Sequence, residues 1–218
     1  MRFKIPNRAV EHLKQIPEMA LLIQHCPNYA PREIIKDPFE GMVYNIIFQQ
    51  ISFEAGNTVY SRFKKLFPEG INPKALLATD DDIIQACGLS FRKVSYCKNI
   101  AEAFLQDPAF YERKNLQKTD SEIISTKLQS IKGVGQWTVQ MFLMFTLGKE
   151  DVRAFGDLAI RKGIAWLMQS DGELSKTDFK KFTDRCAPYN TYAHFFLWEI
   201  TLQQFFKYPS IFHLPIQQ

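Results

Sequence analysis

The chain has 218 residues, 46% hydrophobic and 23% charged, with a formal net charge of +4 and four cysteines. That apolar share is too high for a disordered chain, no run approaches the roughly 18 uncharged apolar residues of a membrane helix, and the length suits one large domain or two small lobes. A soluble globular protein is expected, and an excess of 27 basic over 23 acidic side chains is compatible with a polyanionic partner without identifying one.

From the N-terminus, the first 19 residues hold no apolar stretch followed by small residues of the secretion-signal kind. The protein is therefore expected inside the cell, with reduced thiols. Apolar residues then recur at helical spacing while alternating runs are nearly absent, so the chain reads as all-α. Helices are expected near 8–25 (interrupted by Pro17), 38–51, 54–66, 80–86, 92–104, 119–130, 136–147, 157–168, 176–186 and 190–205. In the helix from Arg92 to Phe104, Val94, Cys97, Ile100, Ala101 and Phe104 form the apolar stripe. Turn chemistry falls between the helices, at Cys26-Pro27-Asn28, Pro68-Glu69-Gly70, Cys87-Gly88, Gly148-Lys149-Glu150, Ser170-Asp171-Gly172 and Ala187-Pro188. None is a long linker. The expected architecture is one compact domain, 1–218, in which a two-lobed helical bundle encloses a cleft; one lobe takes residues 1–35 and 155–218, the other residues 36–154.

Cys26, Cys87, Cys97 and Cys186 are too scattered for zinc or an iron–sulfur cluster and read as buried small hydrophobes. The four histidines are equally dispersed. His194 lies in an aromatic helix and reads as a packed or partly buried side chain without chemistry.

Chemistry enters at Gln129-Ser130-Ile131-Lys132-Gly133-Val134-Gly135-Gln136-Trp137-Thr138, between an amphipathic and a strongly apolar helix. Two glycines around one apolar residue permit a tight turn that leaves backbone N–H groups open at a helix start, where the dipole favours a phosphate, and Lys132 adds positive charge. By itself such a turn is also an ordinary helix connection. Twenty-two positions after Gly135, Asp157 stands at a plausible helix start in Arg153-Ala154-Phe155-Gly156-Asp157-Leu158-Ala159-Ile160-Arg161-Lys162-Gly163. There it reads either as an N-cap or as a carboxylate placed to stabilise positive charge on a sugar losing its base.

The hairpin, this spacing and the Gly-Asp-Leu-Ala-Ile-Arg-Lys-Gly run resemble the helix-hairpin-helix DNA glycosylase superfamily, and more narrowly its alkylated-base branch, 3-methyladenine DNA glycosylase II. Upstream, Pro38 to Val43 leading to Ile47-Phe48-Gln49-Gln50-Ile51-Ser52, and Gly88-Leu89-Ser90-Phe91-Arg92-Lys93, are similar to that branch; downstream, so are Pro188-Tyr189-Asn190-Thr191-Tyr192-Ala193 and Leu197-Trp198. The resemblance implies a monofunctional hydrolase of base excision repair that flips alkylated purines, chiefly 3-methyladenine, out of duplex DNA and leaves an abasic site.

It further implies that Asp157 is the catalytic carboxylate and that Trp137, Trp198, Met141 and Leu158 line the base pocket, where aromatic faces attract a cationic base. Gln50, Ile51 and Ser52 would contact the DNA, with Gln50 or Ile51 filling the gap left by the flipped nucleotide. Lys132, Gly133, Val134, Gly135, Gln136 and Thr138 would contact DNA, and the carbonyls of Gln129, Ile131 and Val134 would hold Na+ or K+. No other cofactor, iron–sulfur cluster or zinc is expected. Bifunctional relatives place a nucleophilic Lys two positions after the second hairpin glycine; Trp137 stands there, so no strand cleavage is expected. The chain departs from the branch at Lys132, Phe155, Gly156, Asn190 and Met141, and it reads as a compact version without an N-terminal β domain. The expected partner is damaged duplex DNA, met as a monomer, in the bacterial cytoplasm or the eukaryotic nucleus. The alternative from another class is a non-catalytic lesion-binding module, which has no reason to keep Asp157; removal of oxidised bases or mismatched pyrimidines with strand cleavage is disfavoured by Trp137 and the scattered cysteines.

Overall fold

The structure is a computed structural model that describes residues 4–27, 34–170 and 172–215. The turn residues Asn28 and Asp171 lie outside the described residues. The chain forms two compact units, Ile34–Gly148 as one continuous segment and Met1–Glu33 with Lys149–Gln218 as the other. The described residues form helices and no strand, and no helix among them is long and apolar enough to cross a membrane.

The discontinuous unit opens with α1 (Asn7–Leu13) and α2 (Pro17–His25). Pro17 lacks an N–H and can only begin a helix, which is why one apolar pattern becomes two helices.

The continuous unit follows. In α3 (Pro38–Ile47), Asp37 caps the first turn by accepting from the Glu40 N–H at 2.8 Å, and eight residues, Phe39, Met42, Val43, Ile46 and Ile47 among them, are buried. The expected helix 38–51 stops four residues early, because Gln50 adopts left-handed backbone (φ 56°) and reverses the chain. Next come α4 (Phe53–Lys65), α5 (Pro73–Ala78), α6 (Asp81–Gln85), α7 (Phe91–Gln106), α8 (Pro108–Tyr111), α9 (Arg113–Lys118) and α10 (Ser121–Gln129). The short α5, α8 and α9 were not expected: four to six residues are too few for a helical period to stand out, although Asn72-Pro73 and Asp107-Pro108 carry capping signatures. Helix α7 packs on both α3 and α5. Its expected stripe, Val94, Cys97, Ile100, Ala101 and Phe104, is buried, and Phe104 meets Phe39 edge-on at 5.4 Å.

The last helix of this unit, α11 (Gln136–Phe142), does not run regularly to 147 as expected. Residues Leu143–Leu147 widen into a π turn that ends at left-handed Gly148. Widening frees carbonyls that must find other donors. The Phe145 carbonyl accepts from the Ile35 N–H at 3.2 Å, and the Thr146 carbonyl accepts from Arg113 Nη1 at 2.5 Å. Thr146 itself lies where a Cβ on Gly41 would be, 2.2 Å from its Oγ1, so Gly41 lets α3 approach the widened turn.

The chain then returns to the first unit with α12 (Leu158–Leu167), α13 (Lys176–Cys186) and α14 (Asn190–Leu202). Helix α14 is buried along nearly its whole length and packs on α12 at Gly163, where a Cβ would lie 3.2 Å from the Leu197 carbonyl. Arg185 pairs with Glu18 at 2.7 Å, joining α13 to α2, and holds the Glu18 carboxyl below its usual range. All four cysteines are buried, and burial pushes the thiols of Cys26, Cys97 and Cys186 up to about 12. They remain thiols and act as small apolar side chains.

Candidate active site and nucleic-acid interface

Asp157 ends a loop of the discontinuous unit and starts α12. Its Oδ1 accepts from the Ile160 N–H at 3.0 Å and from Trp198 Nε1 at 3.3 Å. The N-cap and the functional reading of Asp157 are thus compatible: the cap fixes the carboxylate at the helix's positive end, and the indole of α14 orients it. Leu158, next in sequence, is 53% exposed, and Trp198 is half-buried.

The loop before Asp157 is tied to the first turn of α14. Thr191 donates its hydroxyl to the Lys149 carbonyl (2.7 Å), accepts at that oxygen from the Val152 N–H (3.2 Å), and donates its own N–H to the Glu150 carbonyl (3.0 Å). Asn190 Nδ2 donates to Asp151 Oδ1 (2.5 Å) and to the Thr183 carbonyl (3.0 Å). Both side chains are fully buried. Asn190, a departure from the branch pattern, is thus an internal strut. Phe155, another, meets Phe179 edge-on at 5.1 Å and lies under the Arg161 guanidinium at 5.2 Å; Gly156 is exposed.

His194, on α14 between Thr191 and Trp198, is fully buried, more deeply than its sequence context suggested. Neither ring nitrogen has a hydrogen-bond partner among the described residues, and burial lowers its pKa to about 3 from an ordinary value of 6.5. The native state therefore keeps the imidazole neutral where the unfolded chain takes up a proton. Stability should fall as pH drops from 6.5 towards 3, by about 1.4 kcal/mol per pH unit, so roughly 2 kcal/mol by pH 5. Chemical denaturation at pH 7 and pH 5 should show this loss in the wild type and a smaller one in His194→Leu; equal slopes in the two proteins would refute it.

The hairpin belongs to the continuous unit. Gly133 has φ 100°, and a Cβ there would lie 2.1 Å from the Tyr96 ring, so α7 presses directly on the hairpin backbone. Lys132 is exposed at the tip, and its carbonyl accepts from Asn99 Nδ2 at 3.0 Å. The Val134 N–H is spent on the Ile131 carbonyl (3.0 Å), and the Val134 side chain is buried. Gly135 N-caps α11 with open space around it, and Gln136 is exposed beside it. Thr138 sits differently from expectation: it is 1% exposed, and its hydroxyl accepts from Gln49 Nε2 at 2.9 Å, so the side chain braces the hairpin from inside. Trp137 is half-buried at the start of α11 and Met141 is buried one turn later.

Gln50, Ile51 and Ser52 form the turn between α3 and α4. Gln50 and Ile51 are exposed, Ile51 at 39%, and Ser52 caps α4 by accepting from the Ala55 N–H at 3.2 Å. Two neighbours not expected from the sequence hold this turn. Lys93 Nζ donates to the carbonyls of Ile47 (2.8 Å) and Gln49 (2.7 Å), and burial lowers its pKa. Gln49 Nε2 reaches the hairpin at the Gly133 carbonyl, 3.2 Å. Both residues lie inside motif runs, but nothing local indicates which atoms they contact.

Residues 43–188 match the family described as HhH-GPD superfamily base excision DNA repair protein. The chain belongs to this superfamily. It is 32% identical over 198 residues to DNA-3-methyladenine glycosylase 1 of Schizosaccharomyces pombe, a match that spans 88% of this chain and 86% of that protein. The solved structure of the Schizosaccharomyces pombe 3-methyladenine DNA glycosylase Mag1 in complex with abasic DNA superposes with a TM-score of 0.82 at 31% identity, over 89% of this chain and 97% of that one. A DNA-3-methyladenine glycosidase structure from Bacillus halodurans superposes at 0.77 with 27% identity, over 97% of both chains. In this superfamily member, the aromatic and carboxylate positions expected at the base are divided between the units: Trp137 and Met141 lie in the continuous one, Asp157, Leu158 and Trp198 in the other.

Proposed function

We propose that this superfamily member is a monofunctional DNA glycosylase that hydrolyses the N-glycosidic bond of alkylated purines, chiefly 3-methyladenine, in duplex DNA. The observation that carries the reading is Asp157 Oδ1 held by two N–H donors at the start of α12. An alkylated purine is already cationic. As the C1′–N bond breaks, its electron pair moves to the base and cancels that charge, so positive charge builds on the sugar instead. Asp157 stabilises it and receives the proton of the water that adds to C1′. Little acid catalysis on the base is needed.

Trp137 and Met141 in the continuous unit, and Leu158 and Trp198 in the other, are the residues assigned to the base, and the electron-rich indoles of Trp137 and Trp198 favour a cationic base. Exposed Gln50 or Ile51 enters the gap left by the extruded nucleotide. The hairpin grips phosphate through the backbone N–H groups of Gly135 and Gln136 and the charge of Lys132. A lone Na+ or K+ fits the carbonyls of Gln129, Ile131 and Val134, an all-oxygen set without a carboxylate; the Ile131 oxygen already takes one N–H and keeps a second lone pair. With Trp137 where a Schiff-base lysine would stand, the reaction ends at the abasic site.

Incubation with methylated duplex DNA and chromatography of the released bases tests this reading. Free 3-methyladenine should appear, and the DNA should stay unnicked until alkali or heat is applied. No released alkylpurine would overturn this reading, and prompt nicking would contradict the monofunctional assignment.

A further inference from the structure

One face of α7 carries Lys93, Tyr96 and Asn99, three residues apart, and each contacts a different part of the α3–α4 turn or the glycine hairpin of the same unit. Lys93 holds the C-terminus of α3 and the Gln49 carbonyl at the wedge turn. Tyr96 lies against Gly133, and Asn99 holds the Lys132 carbonyl. Gln49 closes the circuit from the wedge turn, with Nε2 on both the Gly133 carbonyl and Thr138 Oγ1. Two loops 84 positions apart in sequence are thereby pinned to each other and to one helix. The turn so held contains Gln50, a non-glycine residue at φ 56°, a conformation that persists only where its surroundings enforce it.

We propose that Gln49 and Lys93 are positioning residues for base extrusion: with α7 they set a fixed distance between the wedge turn and the phosphate-gripping hairpin, so that binding the backbone at the hairpin drives Gln50 and Ile51 into the stack. Neither touches the substrate. Gln49 acts through the hairpin and the wedge turn, and Lys93 through the two carbonyls that end α3. The inference rests on the glycosylase reading above. Its physical content is that a wedge free to move relative to its phosphate anchor loses leverage, since a displacement of about 1 Å in such a device can cost up to a hundredfold in rate.

The test uses the intact protein with Gln49→Leu and Lys93→Met, and two duplexes with the same alkylated purine. In one duplex the lesion is paired; in the other it faces a tetrahydrofuran abasic analogue, so that little pairing remains to be broken. Single-turnover excision of the paired lesion should fall about tenfold or more in each variant, while excision of the pre-opened lesion stays within about threefold of wild type. Affinity for undamaged duplex, which depends on phosphate contacts, should be retained. An equal loss on both duplexes would mean a general structural defect and would overturn the proposal, as would no loss on either. Lys93→Met removes a half-buried charge, so Gln49→Leu, which keeps the charge and deletes only the two bonds from Nε2, is the deciding variant; thermal melting identifies a folding failure. If wild-type protein excises neither lesion, the glycosylase reading itself falls, an outcome distinct from wild-type excision with unaffected variants.

Discussion

Asp157→Asn should lower single-turnover excision of an alkylated purine by roughly a thousandfold, about 4 kcal/mol of transition-state stabilisation. The substitution isolates charge from structure. Asn is as good an N-cap as Asp, and its side-chain oxygen can still accept from the Ile160 N–H and from Trp198 Nε1. Melting temperature and affinity for a duplex holding an abasic analogue should therefore change little. A variant that keeps more than about a tenth of the wild-type rate would remove Asp157 from the catalytic role. A large drop in melting temperature would show that the variant disturbs the fold as well as the charge.

The second large effect is expected at the hairpin. Gly133→Ala places a methyl group 2.1 Å from the Tyr96 ring carbon at a residue with φ 100°. Both the clash and the left-handed backbone oppose it, and the ring cannot retreat without disturbing the face of α7 that also holds Lys132 and Gln49. The cost should be about 2–4 kcal/mol of stability, accompanied by a tenfold or greater loss of duplex affinity as the hairpin backbone shifts. Gly135→Ala, with φ −95° and open space around it, should cost only about 1 kcal/mol of stability, the difference between glycine and alanine as an N-cap. Melting curves and fluorescence anisotropy on the pair decide the matter: equal behaviour of the two alanine variants would contradict the packing of α7 under Gly133.

This asymmetry between two glycines of one motif illustrates how far the sequence could be read. In the sequence, Gly133 and Gly135 are equivalent members of a hairpin; the difference between them is Tyr96, 37 positions upstream of Gly133. Long helices with strong apolar periods, such as α7, were legible because a stripe at 3.6-residue spacing has to be buried. The end of α3 was not, since the residues from Phe48 to Ile51 favour no break; Lys93, bonding to the carbonyls of Ile47 and Gln49, supplies the reason for it. The π turn after Phe142 was not legible because it depends on Arg113, Ile35 and Gly41 to accommodate it. Asp157 was legible as a helix start and as a candidate carboxylate, whereas its indole partner lies 41 residues away on α14.

By itself, then, the sequence determined that this is a helical protein with a glycine hairpin and a capping aspartate of the superfamily's kind. Those features are written in spacings of a few residues, where backbone conformation and apolar period act locally. Only the tertiary structure decided which atoms hold them: Trp198 on Asp157, Gln49 and Asn99 on the hairpin, Lys93 on the wedge turn. Such bonds join residues tens of positions apart, and they exist because the packing of α3, α7 and α11 in one unit, and of α12 with α14 in the other, brings each donor within reach of its acceptor.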